Sequence, residues 1–595
     1  MNRVWKWVAL IFFVLALTIT GAVIYLKKHW KPLIQNEIEK AVTKASGGLY
    51  KLSYDNLDFN LTLGNVNLDR VKLIADTNVY KQLQADSIAP DHLYFLEVDR
   101  IAVKGVQIWK AWKKKQMELN LIAIDKPAIE IFHFPAAKKD SVESDKKDLY
   151  SSIQDVLESV KVDKIKIDQA QISHKKFMDK DTTELSIGAV DIQVDDLLID
   201  ENSKSDSSRF YYTKNITVKT GSFEHELDDG YYVASLDSVL LSTTQGELYI
   251  HGVNIHPKMD KRSFYKQKGR NVTMADLHFE QVSAQGLQLR TLLDEGAIIA
   301  DKIYIKSGKA DISTDKSYPK KPENKIGDSP HQKLMKADRR IKVDSVFLDN
   351  VDVTYFEFSG KYYREGSIAF NGTTGTVTHV TNDSIALAED KFMRADLTSK
   401  LLNQGRFNVQ FGFDMTSSEG AHTYKGTLGR MNAKSFNRIL RPLLNIEITS
   451  GNIRKISFDM QANDYRNWGD FRFDYDHLKV SILQKDNTKR RSSRGVLSFL
   501  VNSILINDSN PDANNKYHVG NINYKRVPEH TFFKTLWQSL FDGIKQTAGI
   551  SPEREAKLLA QAQSAQERVK ETKTAVKKSK GFFRRLFKEK DKKEN

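Results

Sequence analysis

Cysteine is absent from this 595-residue chain. That excludes disulfide frameworks, thiolate zinc sites, iron–sulfur ligation and a cysteine nucleophile, but leaves the compartment open. Proline is scarce, 12 residues against roughly 5% in average usage, which argues against a linker-rich or collagen-like chain. The signatures of common catalytic sites are missing: no G-x-S-x-G, no H-E-x-x-H, no P-loop and no dinucleotide fingerprint. A second long apolar run is missing too. His251 and His256 stand five apart in a strand-like stretch. An odd spacing predicts opposite faces, roughly 16 Å apart, which no single metal can bridge. Asp195-Asp196 and Asp228-Asp229 are carboxylate pairs without ligand spacing. No enzyme, cofactor or metal site is expected.

Charge is concentrated at the ends. The net +15 divides into +5 over residues 1–34, +6 over residues 577–595 and only +4 over the 542 residues between. A nucleic-acid binder needs a basic stripe on its folded body. Here the body is nearly neutral, so no nucleic-acid partner is expected, and the basic ends suit a membrane surface.

Trp7–Leu26 is a run of 20 residues without a charge, long enough to cross a hydrocarbon core of about 30 Å. Trp5, Trp7, Tyr25 and Trp30 flank it, where amphipathic rings favour the headgroup region. The competing reading is a cleaved signal peptide, with Thr20 and Ala22 as a small-x-small site. The apolar run continues through Val23, Ile24 and Tyr25, which favours an uncleaved anchor. Pro32–Lys44 fits a short helix leaving the membrane.

After Gly47 the hydrophobic period changes from 3.6 to 2. Phe407, Val409, Phe411, Phe413 and Met415 alternate with polar residues, as do Ile456, Phe458 and Met460, and again Phe471, Phe473 and Tyr475. Such alternation predicts half-buried antiparallel strands. The phase slips at His477, as at a bulge. A loose repeat, aliphatic–Asp–x–aliphatic, recurs at Leu68–Val71, Val98–Ile101, Val162–Ile165, Ala300–Ile303 and Val343–Val346. Its Asp (Asp69, Asp99, Asp163, Asp344) reads as turn or edge chemistry. At roughly 11–12 residues per strand and turn, residues 47–530 hold about 40 strands, up to roughly 190 Å as one ribbon.

Loops are expected at 138–147, 200–208 and 315–340, and short helices at Leu149–Val160 and Ala433–Leu444. A clear amphipathic helix covers 531–548, opened by Thr531 and closed by Gly549, with Phe532, Phe533, Leu536, Trp537, Leu540, Phe541 and Ile544 on one face. It suits either a cap over the sheet or a membrane-surface element. A second helix follows from about Pro552 to Lys578. The basic-aromatic tail, with Phe582, Phe583, Arg584, Arg585 and Phe587, is a candidate contact for anionic headgroups.

The chain resembles the AsmA-like family, relatives of TamB and the bridge-like lipid-transfer proteins. The N-terminal likeness is carried by the anchor, Gly48–Leu52, Leu57–Leu61, Val98–Ile101 and Leu119–Ile131. The C-terminal likeness is carried by Gly426–Met431, Leu440–Leu443 and Ile446–Gly451. The resemblance implies an inner-membrane protein of a Gram-negative bacterium, with its body in the periplasm and a β-sheet folded into an apolar groove for lipid. The expected fold is mostly β. A single transmembrane helix (within 1–46) precedes an elongated, twisted antiparallel β-sheet groove of β-taco type (47–530). An amphipathic helix (531–550) and a charged helix with basic tail (551–595) follow.

The lipid reading takes phospholipid or another amphiphile as partner and Phe407, Val409, Phe411, Phe413, Ile456, Phe458, Met460, Phe471 and Phe473 as groove candidates. Alternation alone fits a dry sandwich equally. The alternative function is a non-catalytic envelope scaffold or outer-membrane protein assembly factor that pairs with client strands.

Overall fold

The computed structural model describes residues 40–550, except 135–148, 178–181, 484–499 and positions 41, 45, 61, 87, 152, 155, 228 and 505. The expected anchor, most of its exit helix, the second C-terminal helix and the basic tail lie outside the described residues. Among the described residues no helix is long and apolar enough to cross a membrane.

Twenty-five strands join in one sheet, and they do so in chain order. The first rung is a strand broken in two, β1 (Tyr50–Ser53) and β2 (Asn56–Asn60), both paired with β3 (Asn65–Ala75). Next come β4 (His92–Lys104) and the broken rung of β5 (Gln116–Asp125) with β6 (Ala128–His133). β7 (Ser159–Phe177) and β8 (Thr182–Ile199) lead to two further broken rungs: β9 (Thr213–Thr220) with β10 (Phe223–Glu226), then β11 (Tyr232–Leu236) with β12 (Ser238–Ser242). Single rungs follow: β13 (Glu247–Pro257), β14 (Met274–Gln285), β15 (Ile298–Asp315), β16 (Ile341–Phe358), β17 (Glu365–Thr381), β18 (Phe392–Leu401) and β19 (Gly405–Asp414). β20 (His422–Leu428) with β21 (Met431–Asn432), β22 (Ile446–Ala462), β23 (Arg466–Leu483), and β24 (Leu500–Ile504) with β25 (Val519–Lys525) complete the ladder.

Each rung pairs only with its neighbours in this order, which makes nineteen rungs. At roughly 4.8 Å per step they extend about 86 Å. The larger expectation fails on strand length: seven strands run to 17–19 residues. Nor is the sheet antiparallel throughout. β7 runs parallel to β5 and β6, and β16 parallel to β15. Each parallel step needs a long crossover; the second is provided by residues 316–340, while the loop expected at 138–147, between β6 and β7, lies outside the described residues. The expected helix at 149–160 is instead turns, with β7 starting at Ser159, because the buried Val160 and Val162 complete a core row of the sheet.

Eight helices punctuate the described residues: α1 (Thr77–Ala85), α2 (Ile108–Lys114), α3 (Lys261–Lys268), α4 (Leu289–Glu295), α5 (Pro330–Met335), α6 (Ser384–Glu389), α7 (Asn437–Leu444) and α8 (Phe532–Thr547). Asp76, Asp260 and Asp383 cap three of them, each accepting two backbone N–H groups that the first turn leaves unpaired. α5 lies within the crossover that sequence alone reads as loop. α8 packs on β23 and β25 and so caps the sheet. Its buried face joins part of the expected apolar face to a row of small residues: Phe532 and Leu536 are buried beside Thr535, Ser539, Gly543 and Thr547, whereas Phe533 is exposed. Small residues are needed there, because a β-carbon on Gly543 would come 2.5 Å from the Phe471 ring.

Bulges line up across the sheet. On thirteen consecutive rungs, one residue drops out of register near the same level. The line runs through Asp55, Arg70, Asp99, Lys126, Gln169, Ala189, Gly221, Asp237, Gly252, Glu280, Ser307, Asn350 and Gly372. Arg70, Lys126, Gln169, Ala189, Gly252, Ser307, Asn350 and Gly372 all have positive φ. A second line passes through Asp163, Asp196, Asp301, Asp344 and His379, six or seven residues away, or about 20 Å. Bulges bend strands, so the first series creases the ribbon over the rungs from β1 to β17, and the second adds to it at β7, β8 and β15 to β17.

This explains the repeat. In an ordinary strand, residues three apart face opposite ways; one bulged residue between them restores the same face. Leu68 and Val71, Val98 and Ile101, Val162 and Ile165, and Val343 and Val346 thus share the apolar face, each pair flanking a bulge. The Asp marks a bulge within a strand rather than a turn or an edge. The same geometry overturns the expectation for His251 and His256: the bulge at Gly252 puts both on the polar face, opposite Ile250, Val253 and Ile255.

Candidate functional site: a continuous apolar face

One row of side chains crosses every rung. From the N-terminal edge it reads Leu57, Leu68, Ile101, Ile124, Ile167, Ile192, Val218, Leu241 and Leu248. It continues as Ala284, Ile303, Val346, Val377, Ala395, Phe411, Tyr424, Met460, Gly469 and Ile522. No charged group interrupts it. The opposite face over β7 to β16 carries Lys164, Asp195, His251, Gln281, Lys306 and Asp349, together with the stacked pair Tyr304 and Phe347.

What changes along the row is its cover. At the N-terminal end Leu68, Val71, Ile124 and Val160 belong to one closed core. At the C-terminal end a second closed core lies beneath α8. Between them the face is covered only in part: Ala284, Ala300 and Val343 are buried in a third, smaller core against which Leu241, Leu248, Ile303 and Val346 pack, and the rest is half-buried. Ile250, Val282, Ile305 and Leu348 form a cross-strand row of intermediate exposure and enter none of the buried clusters among the described residues. Ile192, Val218, Val253, Ile255, Leu277, Phe279 and Val353 are in the same condition.

The nine groove candidates do share one face, at the C-terminal end. Val409, Phe413, Ile456, Phe458, Met460, Phe471 and Phe473 are buried; Phe407 and Phe411 pack against them. Phe532 of α8 sits 6.3 Å from Phe411 and 6.0 Å from Phe413, ring to ring. The Tyr424 hydroxyl lies 2.8 Å from that of Ser539 and accepts from Asn467 at 3.0 Å, and burial pushes its pKa up to about 12. These residues line a closed core. The uncovered stretch lies seven or more rungs upstream in places, and its aliphatic residues were not singled out by sequence, where bulges break the alternation. The membrane-surface candidates Phe582, Phe583, Arg584, Arg585 and Phe587 lie outside the described residues.

A separate apolar patch projects near the N-terminal end. Leu63, Trp109, Trp112 and Val156 are 62%, 62%, 64% and 71% exposed. Two backbone hydrogen bonds join the segments that carry them, Val106 N–H to Gly64 carbonyl (3.0 Å) and Glu158 N–H to Lys115 carbonyl (2.8 Å), and the two indole rings lie 6.0 Å apart. α2 supplies both tryptophans, with Lys110, Lys113 and Lys114 between and beside them and Lys115 as its C-cap. Lys113 Nζ stands 4.2 Å from the Trp109 ring centre. Indole rings beside lysines are the composition of a headgroup-region contact.

No known protein family matches this chain, and no curated protein matches it.

Proposed function

We propose that the protein is a membrane-anchored, non-catalytic lipid handler of AsmA-like type, holding acyl chains in a groove formed by the creased sheet. The observation that carries this reading is the half-buried row Ile250, Val282, Ile305 and Leu348, which enters none of the buried clusters among the described residues. An amphipathic sheet in water ordinarily packs its apolar face away. On this reading the creased ribbon forms a trough whose floor receives an alkyl chain. Each methylene placed there retains about 0.8 kcal/mol that exposure to water would cost. Residues 7–26 anchor the chain in the inner membrane, the Trp109–Trp112 patch rests on the bilayer, and the body extends through the periplasm. Phospholipid is the cargo this composition suits, in support of outer-membrane biogenesis.

Lipid co-purifying with the full chain tests this. Leu348→Lys, which sets an ammonium in the floor, is expected to remove bound phospholipid, while Ser345→Lys on the opposite face leaves it. Equal lipid content in the two variants contradicts the proposal.

An assembly role is the second reading. Among the described residues, neither β1 and β2 nor β24 and β25 have a partner on their outer side, and such edges template strand addition. Crosslinks from these edges to a protein client, with none from Ile250 or Val282 to lipid, would favour it.

A further inference from the structure

We infer that His92, His133 and His174 form a three-histidine site for a divalent late transition cation, of which Zn²⁺ is the type. The three come from β4, β6 and β7, adjacent rungs of the ladder. His92 and His133 are direct cross-strand partners, and His174 is diagonal to His133 because Ile131 is its own partner. All three therefore project from the same face, at one end of their strands. The His92 and His133 rings stack at 4.4 Å with 10° between planes, and the His174 ring lies 6.0 Å from His133 and 6.2 Å from His92. One nitrogen from each falls within 4.8 Å of the other two.

A tetrahedral cation bound at 2.0–2.1 Å separates its ligand nitrogens by roughly 3.4 Å. Ring rotation about the side-chain torsions covers that difference without moving the strands. Each ring is half-buried, so the site is open on one side to a fourth ligand such as water. In a chain without cysteine, imidazole is the donor suited to this class of metal. Spacing in the sequence hides the site: His92, His133 and His174 are about forty residues apart, and only the parallel step from β6 to β7 unites them. Its consequence is mechanical. A bound cation would tie three strand ends together at the rim of the apolar face. The inference stands on this geometry and does not depend on the lipid reading.

The test is cobalt and zinc binding to the full chain in detergent, carried on an affinity tag free of histidine. One Co²⁺ per chain is expected, with the visible d–d bands of a low-coordinate ion, displaced by Zn²⁺. His133→Ala and His174→Ala should each weaken binding at least tenfold, while His251→Ala and His256→Ala, on the polar face, leave it unchanged. His133→Gln serves if the alanine variant misfolds, and thermal midpoints without metal should match wild type. Binding well below one ion per chain, or binding that persists in the His133 and His174 variants, overturns the inference.

Discussion

A β-carbon added to Gly252 would lie 2.0 Å from Oδ2 of Asp237 on the neighbouring strand. The two residues hold the same level of adjacent rungs, and Gly252 takes φ +63° so that the strand can bulge there. Related braces recur along the crease: Asp191 accepts the Gln169 N–H at 2.7 Å, Asp352 accepts the Gly372 N–H at 2.7 Å, and Asp69 receives Arg100 at 3.0 Å. A carboxylate on one rung thereby satisfies or crowds the bulge on the next, so the crease propagates from rung to rung.

Gly252→Ala should accordingly cost about 1–3 kcal/mol, from left-handed strain and displacement of Asp237. Gly188→Ala is the matched control, since nothing lies within 4 Å of its added carbon. Thermal unfolding of the two variants checks this; equal midpoints would mean that the crease tolerates a side chain.

The second crossover is fastened to the C-terminal core by a buried ion pair. Arg526 donates to Asp464 at 2.8 Å and to the Lys325 carbonyl at 2.7 Å, while Asp464 also accepts from Gln332 at 2.7 Å. Both charges are almost fully buried. Arg526→Ala leaves a buried carboxylate without its cation, a loss of about 3–5 kcal/mol. Hydrogen exchange should quicken over 325–335 and 463–467 and not over β3 to β5. Uniform quickening would show that the crossover is not a separate fastening.

Acid should loosen the same region. Burial, and then the nearby His422, depress the His331 pKa from 6.5 to about 4. Burial likewise lowers His422. The unfolded chain then binds protons that the folded chain refuses, so this contribution is intact above pH 6.5 and is lost as pH falls toward 4. His331→Phe, beside the Phe413 ring at 5.0 Å, should flatten the slope of thermal midpoint against pH in that window. An unchanged slope would remove His331 as its source.

The exposed tryptophans predict a membrane contact that is separable from the anchor. In vesicles containing anionic phospholipid, Trp109 and Trp112 of the full chain should be protected from a soluble tryptophan quencher, and replacing either one by Ala should reduce the protection of the other. Lys113→Glu with Lys114→Glu should do so most at low salt. Quenching equal in vesicles and detergent-free buffer would dismiss the patch.

Much of the architecture is visible in the sequence. The alternation at 407–415 lies in β19 but for its last residue, that at 456–460 lies in β22, the helix expected at 531–548 is α8, and the short helix at 433–444 is the 3₁₀ turn Ala433–Phe436 continued by α7. The repeat Leu68-Asp69-Arg70-Val71 was equally visible, yet its meaning depends on which residues lie opposite. A bulge is defined by the partner strand, and one chain segment carries no record of its partner. The covering of a face is equally non-local: Phe411 and Ile250 look alike in sequence, and only the return of α8, more than 120 residues downstream of Phe411, distinguishes them. Histidines joined by a parallel crossover escape for the same reason.

Photo-crosslinking in cells distinguishes a lipid-filled groove from a covered face. A photoreactive residue would replace Ile250, Val282, Ile305 or Leu348 in turn, with His251 and Gln281 as polar-face positions and Phe458 as a closed-core position. The account predicts phospholipid adducts at the first four and none at the other three. Adducts confined to protein at all seven positions would contradict a lipid-filled groove and leave the uncovered face to a protein client.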